Sequence, residues 1–206
     1  MRSNVSVINV LKKNNYNSEV ATQLLYGETF KKIKKVGSWM KIKNDLDNYK
    51  GYIKSKKFLT NQKNTHKVFN LSAKIYSKPH AKCKIKMRLS FGSKIKVVEK
   101  KGKYYKFDNF WINKKDIKKI NLTNKDLFNY INKFKKIKYR WGGKHYSGID
   151  CSGLIQLCLN YNNKFCPRDS KDQIKYFKKK IELKNIKKND LIFWKGHVAV
   201  VVSKNK

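Results

Sequence analysis

The chain has 206 residues, and its 51 lysines and arginines against 13 acidic residues give a formal net charge of +38. Apolar residues make up 40% of the sequence, which is enough for a buried core, and no apolar run is long enough to span a membrane. The excess charge is mostly lysine spread through every segment, and lysine, asparagine, isoleucine and tyrosine share A/T-rich codons. Codon bias can account for the charge, and the alternative is a selected basic surface that attracts acidic peptides or anionic polymers. Nucleic acid is not the expected partner, because arginine, which suits phosphate and base edges better, is scarce.

The N-terminal segment MRSNVSVINVLKK lacks an apolar stretch followed by a small-residue cleavage site. It therefore predicts no signal peptide and a cytoplasmic location. The four cysteines, Cys83, Cys151, Cys158 and Cys166, form no CxxC pair and fit no common zinc spacing. We expect reduced thiols, no metal site and no cofactor.

An internal repeat organises the first 117 residues. A shift of 65 positions aligns apolar and glycine positions of two copies, among them Leu24 with Leu89, Gly27 with Gly92 and Trp39 with Tyr104. Within each copy, apolar and polar residues alternate between Gly, Asn and Asp turns, which predicts short strands of a small barrel. The polar segment 61–66 reads as a linker. The prediction is two small β-barrel domains, 1–60 and 67–120.

Residues 121–206 have a different pattern and predict a third, mixed α+β domain. In TNKDLFNYINKFKK, apolar residues recur at helical spacing after Thr123 or Asn124, which predicts a first helix. A second helix is predicted at about 152–161. A third follows Pro167, with Asp169 or Ser170 as its cap. The segments LIFW and HVAVVV predict buried strands.

The chemistry of this third domain centres on one cysteine and one histidine. Cys151 stands at the start of the second helix, where unpaired N–H groups lower the pKa of a thiol, and small neighbours leave its sulfur approachable. His197 stands on a predicted strand and can act as general base, while the backbone N–H of Cys151 can stabilise an oxyanion. Cys158 is predicted to be inert core. The remaining histidines, His66, His80 and His145, are predicted to be solvated.

The order YRWGG…GIDCSGL…PRDS…NDLIFW…GHVAVVV over residues 139–202 resembles the NlpC-type family of papain-like cell-wall cysteine peptidases. The two domains before it resemble bacterial SH3-like domains. Together they resemble the branch of cytoplasmic γ-D-glutamyl-L-diamino acid endopeptidases that recycle murein peptides. The resemblance implies an α+β chain of two small SH3-like β-barrels and a papain-like catalytic domain at 121–206. It implies hydrolysis of γ-D-glutamyl–diamino acid bonds in a murein-derived peptide.

The resemblance also implies roles for individual residues. Cys151 is the nucleophile, His197 the base, and Tyr139 points its hydroxyl at the oxyanion. Asp150 and Ser170 lie where the family binds the free amino group of an N-terminal L-alanine, and the first SH3-like domain walls the cleft.

Each of these residues also has a structural reading. Tyr139 could be plain packing, Asp150 could stabilise the helix N-terminus, and Ser170 could be only an N-cap. Arg168 either grips a substrate carboxylate or pairs with an acidic neighbour. Trp141 with the two glycines after it indicates either close backbone approach beside the cleft or a tight turn.

The sequence departs from the family after His197. The family orients its histidine with a third polar residue on the next strand, and this sequence stops at Lys206. We therefore expect a catalytic domain that is incomplete at its C-terminus. The alternative function is a non-catalytic module that binds peptidoglycan peptides.

Overall fold

The computed structural model describes residues 1–203, and residues 204–206 of the predicted third domain lie outside that range. The first repeat copy contains the strands β1 (Val7–Leu11), β2 (Val20–Leu25), β3 (Phe30–Val36), β4 (Trp39–Asn44) and β5 (Lys50–Lys54). They form one antiparallel sheet in the order β2-β1-β5-β4-β3. Alternate residues of these strands, such as Val10, Ile42 and Ile53, build a core of their own.

The second repeat copy contains the strands β6 (His66–Val68), β7 (Ser72–Tyr76), β8 (Ile85–Ser90), β9 (Lys94–Ile95), β10 (Glu99–Lys101), β11 (Tyr104–Phe107), β12 (Phe110–Asn113) and β13 (Ile117–Lys119). One sheet has the order β10-β11-β12-β7-β8 and the other the order β13-β6-β9. The strands β7 and β8 occupy the positions that a 65-residue shift assigns to β1 and β2. The central order β8-β7-β12-β11 repeats β2-β1-β5-β4, so the repeat seen in the sequence is present in the structure.

Closure of the two sheets into barrels is not confirmed. Within residues 1–203 the strand pairing describes open five-stranded sheets, in which β2 and β3 are the edges of the first and β8 and β10 the edges of the second. The edge strand β3 carries four exposed lysines between Lys31 and Lys35. Charged side chains on an edge oppose pairing with a second chain, so this edge is protected without closure.

The remaining elements are β14 (Lys144–His145), β15 (Gly148–Ile149), α1 (Cys151–Tyr161), α2 (Ser170–Tyr176), β16 (Leu191–Trp194) and β17 (His197–Val200). Short 3-10 turns lie at Lys114–Asp116, Ile131–Phe134 and Leu183–Asn185. Helix α1 is buried on most of its surface, and its apolar residues pack in one cluster with Leu25 of the first copy and Phe91 of the second. The described helices include none with the length and apolarity needed to cross a membrane.

The predicted first helix of this part is wrong, because only the 3-10 turn Ile131–Phe134 forms there. The backbone N–H of Asn124 donates to Oδ1 of Asn162 at 2.8 Å, and that of Phe128 donates to Oδ1 of Asp126 at 2.9 Å. The Asp126 side chain takes the N–H of Phe128 that a helix would bond to the carbonyl of Asn124, whereas the N–H of Asn124 itself, at the predicted start, has no helical acceptor. Phe128 and Phe134 still reach the core, so the apolar spacing reflects burial without a helix.

The strands LIFW and HVAVVV form, but the prediction that both are buried is wrong. They pair only with each other in the part of the chain that the structure describes, as the antiparallel hairpin β16–β17. One face packs on α1 through Val198, while Ile192 is 38% and Trp194 54% exposed.

His145 is buried, which contradicts its predicted solvation. Its Nδ1 accepts from the backbone N–H of Ser147 at 3.3 Å, so Nε2 carries the proton and donates to Oγ of Ser6 at 3.0 Å. Burial, and secondly the charge of Arg140, lowers the pKa of His145 to about 4. A neutral imidazole thus joins β14 to the start of the chain, and the polar sequence around it gave no sign of that partner.

Candidate active site

A groove of about 240 Å³ lies between the first repeat copy and the N-terminus of α1. The first copy lines it with Lys12, Glu19, Ala21 and Tyr49. The later part of the chain lines it with Tyr139, Trp141, Gly142, Asp150, Cys151, Ser152, Arg168, Asp169, Ser170, Lys171 and Gly196. The groove therefore needs both parts of the chain, and it contains every predicted site residue except His197.

Cys151 is the first residue of α1 and is half-buried in the groove wall. Asp150 is the N-cap, and its Oδ1 accepts from the backbone N–H of Gly153 at 2.7 Å. The backbone N–H of Cys151 has no hydrogen-bond partner within the described residues. A helix start therefore presents a thiol and a free donor side by side, which is the arrangement that acyl transfer to sulfur requires.

Arg168 is 3% exposed and pairs with Asp150. Its Nη1 donates to Oδ1 at 3.0 Å and its Nη2 to Oδ2 at 2.6 Å. The same guanidinium donates to Oγ1 of Thr22 at 2.8 Å and to Oγ of Ser152 at 3.0 Å. Of the two roles that the sequence left open, the geometry shows that Arg168 pairs with an acidic neighbour. Binding of a substrate carboxylate by Arg168 stays a prediction.

Asp150 links two loops of the site. Besides capping α1, its Oδ2 accepts from the backbone N–H of Gly142 at 2.8 Å. The Arg168 ion pair and these two backbone donors use both carboxylate oxygens. Asp150 is therefore a scaffold for Cys151, and its predicted contact with a substrate amino group is not tested by this geometry.

Tyr139 lies beside the nucleophile and is 58% exposed. Its backbone bridges to Ile149, two residues before Cys151. Burial of the hydroxyl raises the pKa of Tyr139, and the neighbouring Cys151 thiol and Asp150 carboxylate raise it further. The hydroxyl is thus a protonated donor beside the sulfur, and its action on an oxyanion stays a prediction.

His197 begins β17 and stands opposite Trp194 in the hairpin, with ring centroids 4.7 Å apart. Strand β17 packs on α1, and Gly196 lines the groove. Among residues 1–203 no side chain is hydrogen-bonded to the His197 ring. The structure thus brings the strand of His197 to the helix of Cys151. Their direct pairing remains a prediction.

Three groove residues were missed as site candidates by the sequence analysis. The hydroxyl of Tyr49 donates to Oδ2 of Asp169 at 3.2 Å, and burial raises the pKa of Asp169 against the opposing effects of Arg168 and Tyr49. Glu19 is exposed and accepts from Nζ of Lys12 at 2.6 Å and from the Trp141 indole. Asp169 caps α2 as predicted, but its side chain makes no cap hydrogen bond and faces Tyr49. The sequence did contain one signal for Asp169 and Glu19. Acidic residues are scarce in so basic a chain, which makes each of them a candidate for a specific role.

Gly142 is where the C-terminal part meets the first copy. Its φ is +71°, and a Cβ there would overlap the carbonyl oxygen of Val20 on β2. Both readings of the Trp-Gly-Gly segment therefore hold at this residue, since the turn needs a left-handed conformation and the backbone approaches closely. The contact fixes the wall of the groove next to Trp141.

We expect iodoacetamide at neutral pH to label Cys151 much faster than Cys158 or Cys166. Burial raises the pKa of each of the latter two thiols to about 12, so both stay protonated at neutral pH. Peptide mass spectrometry of a labelling time course measures the rates, with half-buried Cys83 as the internal reference. Equal, slow labelling of Cys151 and Cys158 would contradict a reactive nucleophile.

With this geometry in place, comparison with known proteins identifies the parts of the chain. Residues 136–206 match the NlpC/P60 family, and residues 10–58 match the bacterial dipeptidyl-peptidase SH3 domain. The C-terminal part is an NlpC/P60 domain. The family predicted from the YRWGG to GHVAVVV motifs is thereby confirmed, as is an SH3-type domain in front of it.

Relatives of known name match parts of the chain. It is 42% identical over 62 residues to dipeptidyl-peptidase 6 of Lysinibacillus sphaericus, covering 30% of this chain and 23% of that protein. It is 32% identical over 90 residues to a probable endopeptidase NlpC homolog of Haemophilus influenzae, covering 41% of this chain and 48% of that protein. The chain thus spans less than half the length of either relative.

A crystal structure of an NlpC/P60 family protein from Bacillus cereus superposes on nearly the whole chain. The TM-score is 0.84 at 20% sequence identity, and the match covers 98% of this chain and 88% of the other. This similarity shows the fold: two strand-rich N-terminal parts and an NlpC/P60 domain, arranged as in that protein.

Proposed function

We propose that this chain is a cysteine peptidase that hydrolyses γ-D-glutamyl–diamino acid amide bonds in murein stem peptides. The observation that carries the proposal is Cys151, half-buried at the first residue of α1, opening into a groove beside the Tyr139 hydroxyl. The peptidase names of the two relatives and the NlpC/P60 match support the reaction class.

The proposed reaction gives roles to Cys151, His197 and Tyr139. His197 takes the thiol proton as Cys151 attacks the γ-carbonyl carbon, and the backbone N–H of Cys151 and the Tyr139 hydroxyl stabilise the oxyanion. His197 then returns the proton to the leaving amine, so a thioester remains on Cys151. Water, activated by the same imidazole, hydrolyses the thioester and releases the γ-glutamyl product.

The acidic side of the groove supports a substrate with a free N-terminal ammonium group. Asp169, with Ser170 beside it, and Glu19 on the opposite wall present carboxylates to the groove, and Tyr49 holds Asp169 in place. We assign ammonium binding to Asp169 and Ser170, because Lys12 and Trp141 already use both carboxylate oxygens of Glu19. Asp150 we assign to positioning, because Arg168 and two backbone N–H groups use its oxygens.

The test is incubation with L-Ala-γ-D-Glu-diaminopimelate and detection of the released dipeptide L-Ala-γ-D-Glu by mass spectrometry. We expect release from this peptide and much slower release from its N-acetylated form, which lacks the ammonium group. Absence of the dipeptide at millimolar substrate contradicts the proposed reaction, and equal rates for both peptides contradict the ammonium site.

A second candidate function is binding of such peptides without cleavage. The observation that favours it is the position of the His197 ring, which contacts Trp194 with ring centroids 4.7 Å apart and is not among the described residues that line the groove. An imidazole out of hydrogen-bond reach of the thiol cannot take its proton. Calorimetry showing micromolar affinity for the tripeptide with no turnover would select this candidate.

A further inference from the structure

One cation in the groove has no assigned partner. Of the three that line it, Arg168 is buried against Asp150 and Lys12 pairs with Glu19 at 2.6 Å. Lys171 is exposed and makes no ion pair within the described residues, and its charge opposes the burial that raises the pKa of Asp169. It follows Asp169 and Ser170 directly, so its charge stands at the side of the groove assigned to the substrate amino end.

The proposed substrate supplies an anion at that place. A γ-linked glutamate keeps its α-carboxylate free, and in L-Ala-γ-D-Glu that carboxylate lies one peptide unit from the ammonium group. If this carboxylate bound between Asp169 and Glu19, three negative charges would lie close together. Such an arrangement disfavours binding unless a cation compensates. The lysine ammonium group is a compact charge on a flexible side chain, so Lys171 can reach such a carboxylate from the exposed edge of the groove.

We infer that Lys171 binds the free α-carboxylate of the γ-linked glutamate and thereby selects glutamate over its α-amide. This inference rests on the proposed function, whose substrate it refines. Lys171 is a specificity-determining residue in this scheme, because it touches the substrate away from the bond that breaks. An exposed charge pair is screened by salt, so the selection weakens as ionic strength rises.

The experiment compares two peptides that differ only at this group, L-Ala-γ-D-Glu-diaminopimelate and the same peptide with the α-carboxylate converted to a carboxamide. For Lys171→Ala we expect kcat/KM on the carboxylate peptide to fall about tenfold, as for a lost charge-assisted hydrogen bond, and little change on the amide peptide. Lys171→Glu should reverse the preference. The matched control is Lys175→Ala, which removes an exposed lysine of the same helix that does not line the groove.

Other outcomes overturn the inference. Equal losses on both peptides show that Lys171 supports the fold, and unchanged kinetics on both show that the carboxylate is bound elsewhere. If the wild-type protein cleaves neither peptide, the proposed function fails, and calorimetry then tests Lys171 alone. Binding of the carboxylate peptide should weaken about tenfold in Lys171→Ala. Equal affinities, or no binding of either peptide, also overturn it.

Discussion

Replacing Cys151 with alanine is expected to abolish release of L-Ala-γ-D-Glu, with a loss in kcat of about a thousandfold or more. The reason is that every covalent step of the proposed reaction passes through this sulfur, and Cys151 is the only cysteine among the described residues that lines the groove. Peptide binding should persist, since the proposed ammonium-binding residues Asp169 and Ser170 are untouched. Single-turnover kinetics and calorimetry measure the two effects separately.

The control is Cys83→Ala, which removes a half-buried cysteine from a loop of the second copy and should leave kcat unchanged. Full activity of the Cys151 variant would place the nucleophile elsewhere and contradict the mechanism. Unchanged binding together with an inactive wild-type protein would instead support the binding-module candidate.

Replacing Arg168 with methionine is expected to lower the free energy of unfolding by about 3–5 kcal/mol, because it leaves the buried Asp150 carboxylate without its counter-charge. The substitution also removes donors from Thr22 and Ser152, so β2 and α1 lose a shared partner. Urea denaturation followed by tryptophan fluorescence measures the change. Adding Asp150→Asn to this variant should restore part of the loss, since it removes the unpaired charge.

The contrast is the exposed pair Lys106–Glu99, 3.0 Å apart on β11 and β10, where Lys106→Met should cost less than about 1 kcal/mol. A loss below 1 kcal/mol for Arg168→Met would show that water reaches Asp150, and the scaffold role of this ion pair would then be wrong.

Local signals predicted the parts of the fold that local interactions decide. Helix α1 begins at Cys151, one residue before the predicted start, because Asp150 is both the cap and the residue before an apolar run. The alternation in the repeat gave the strands, and the 65-residue shift gave the correspondence of β1 and β2 with β7 and β8. The failed helix after Thr123 is a segment whose Phe134 packs on Phe91 of the second copy, and helical spacing cannot reveal a contact with so distant a residue.

The same distinction holds for the groove. Tyr139, Asp150, Cys151, Arg168 and Ser170 lie within one motif, so the sequence could place them together. Glu19 and Tyr49 come from the first repeat copy, and no spacing rule connects them to Cys151 across more than a hundred residues. Folding brings them there through contacts such as Arg168 with Thr22.

The overlap that any side chain at Gly142 would make with Val20 has an evolutionary consequence. The N-terminal module and the peptidase domain meet backbone to backbone at the wall of the groove. A change in the backbone conformation of one part at this contact therefore requires a matching change in the other part. Chimaeras that graft a foreign module onto residues 136–206 should therefore change the shape of the groove before they lose their folded state.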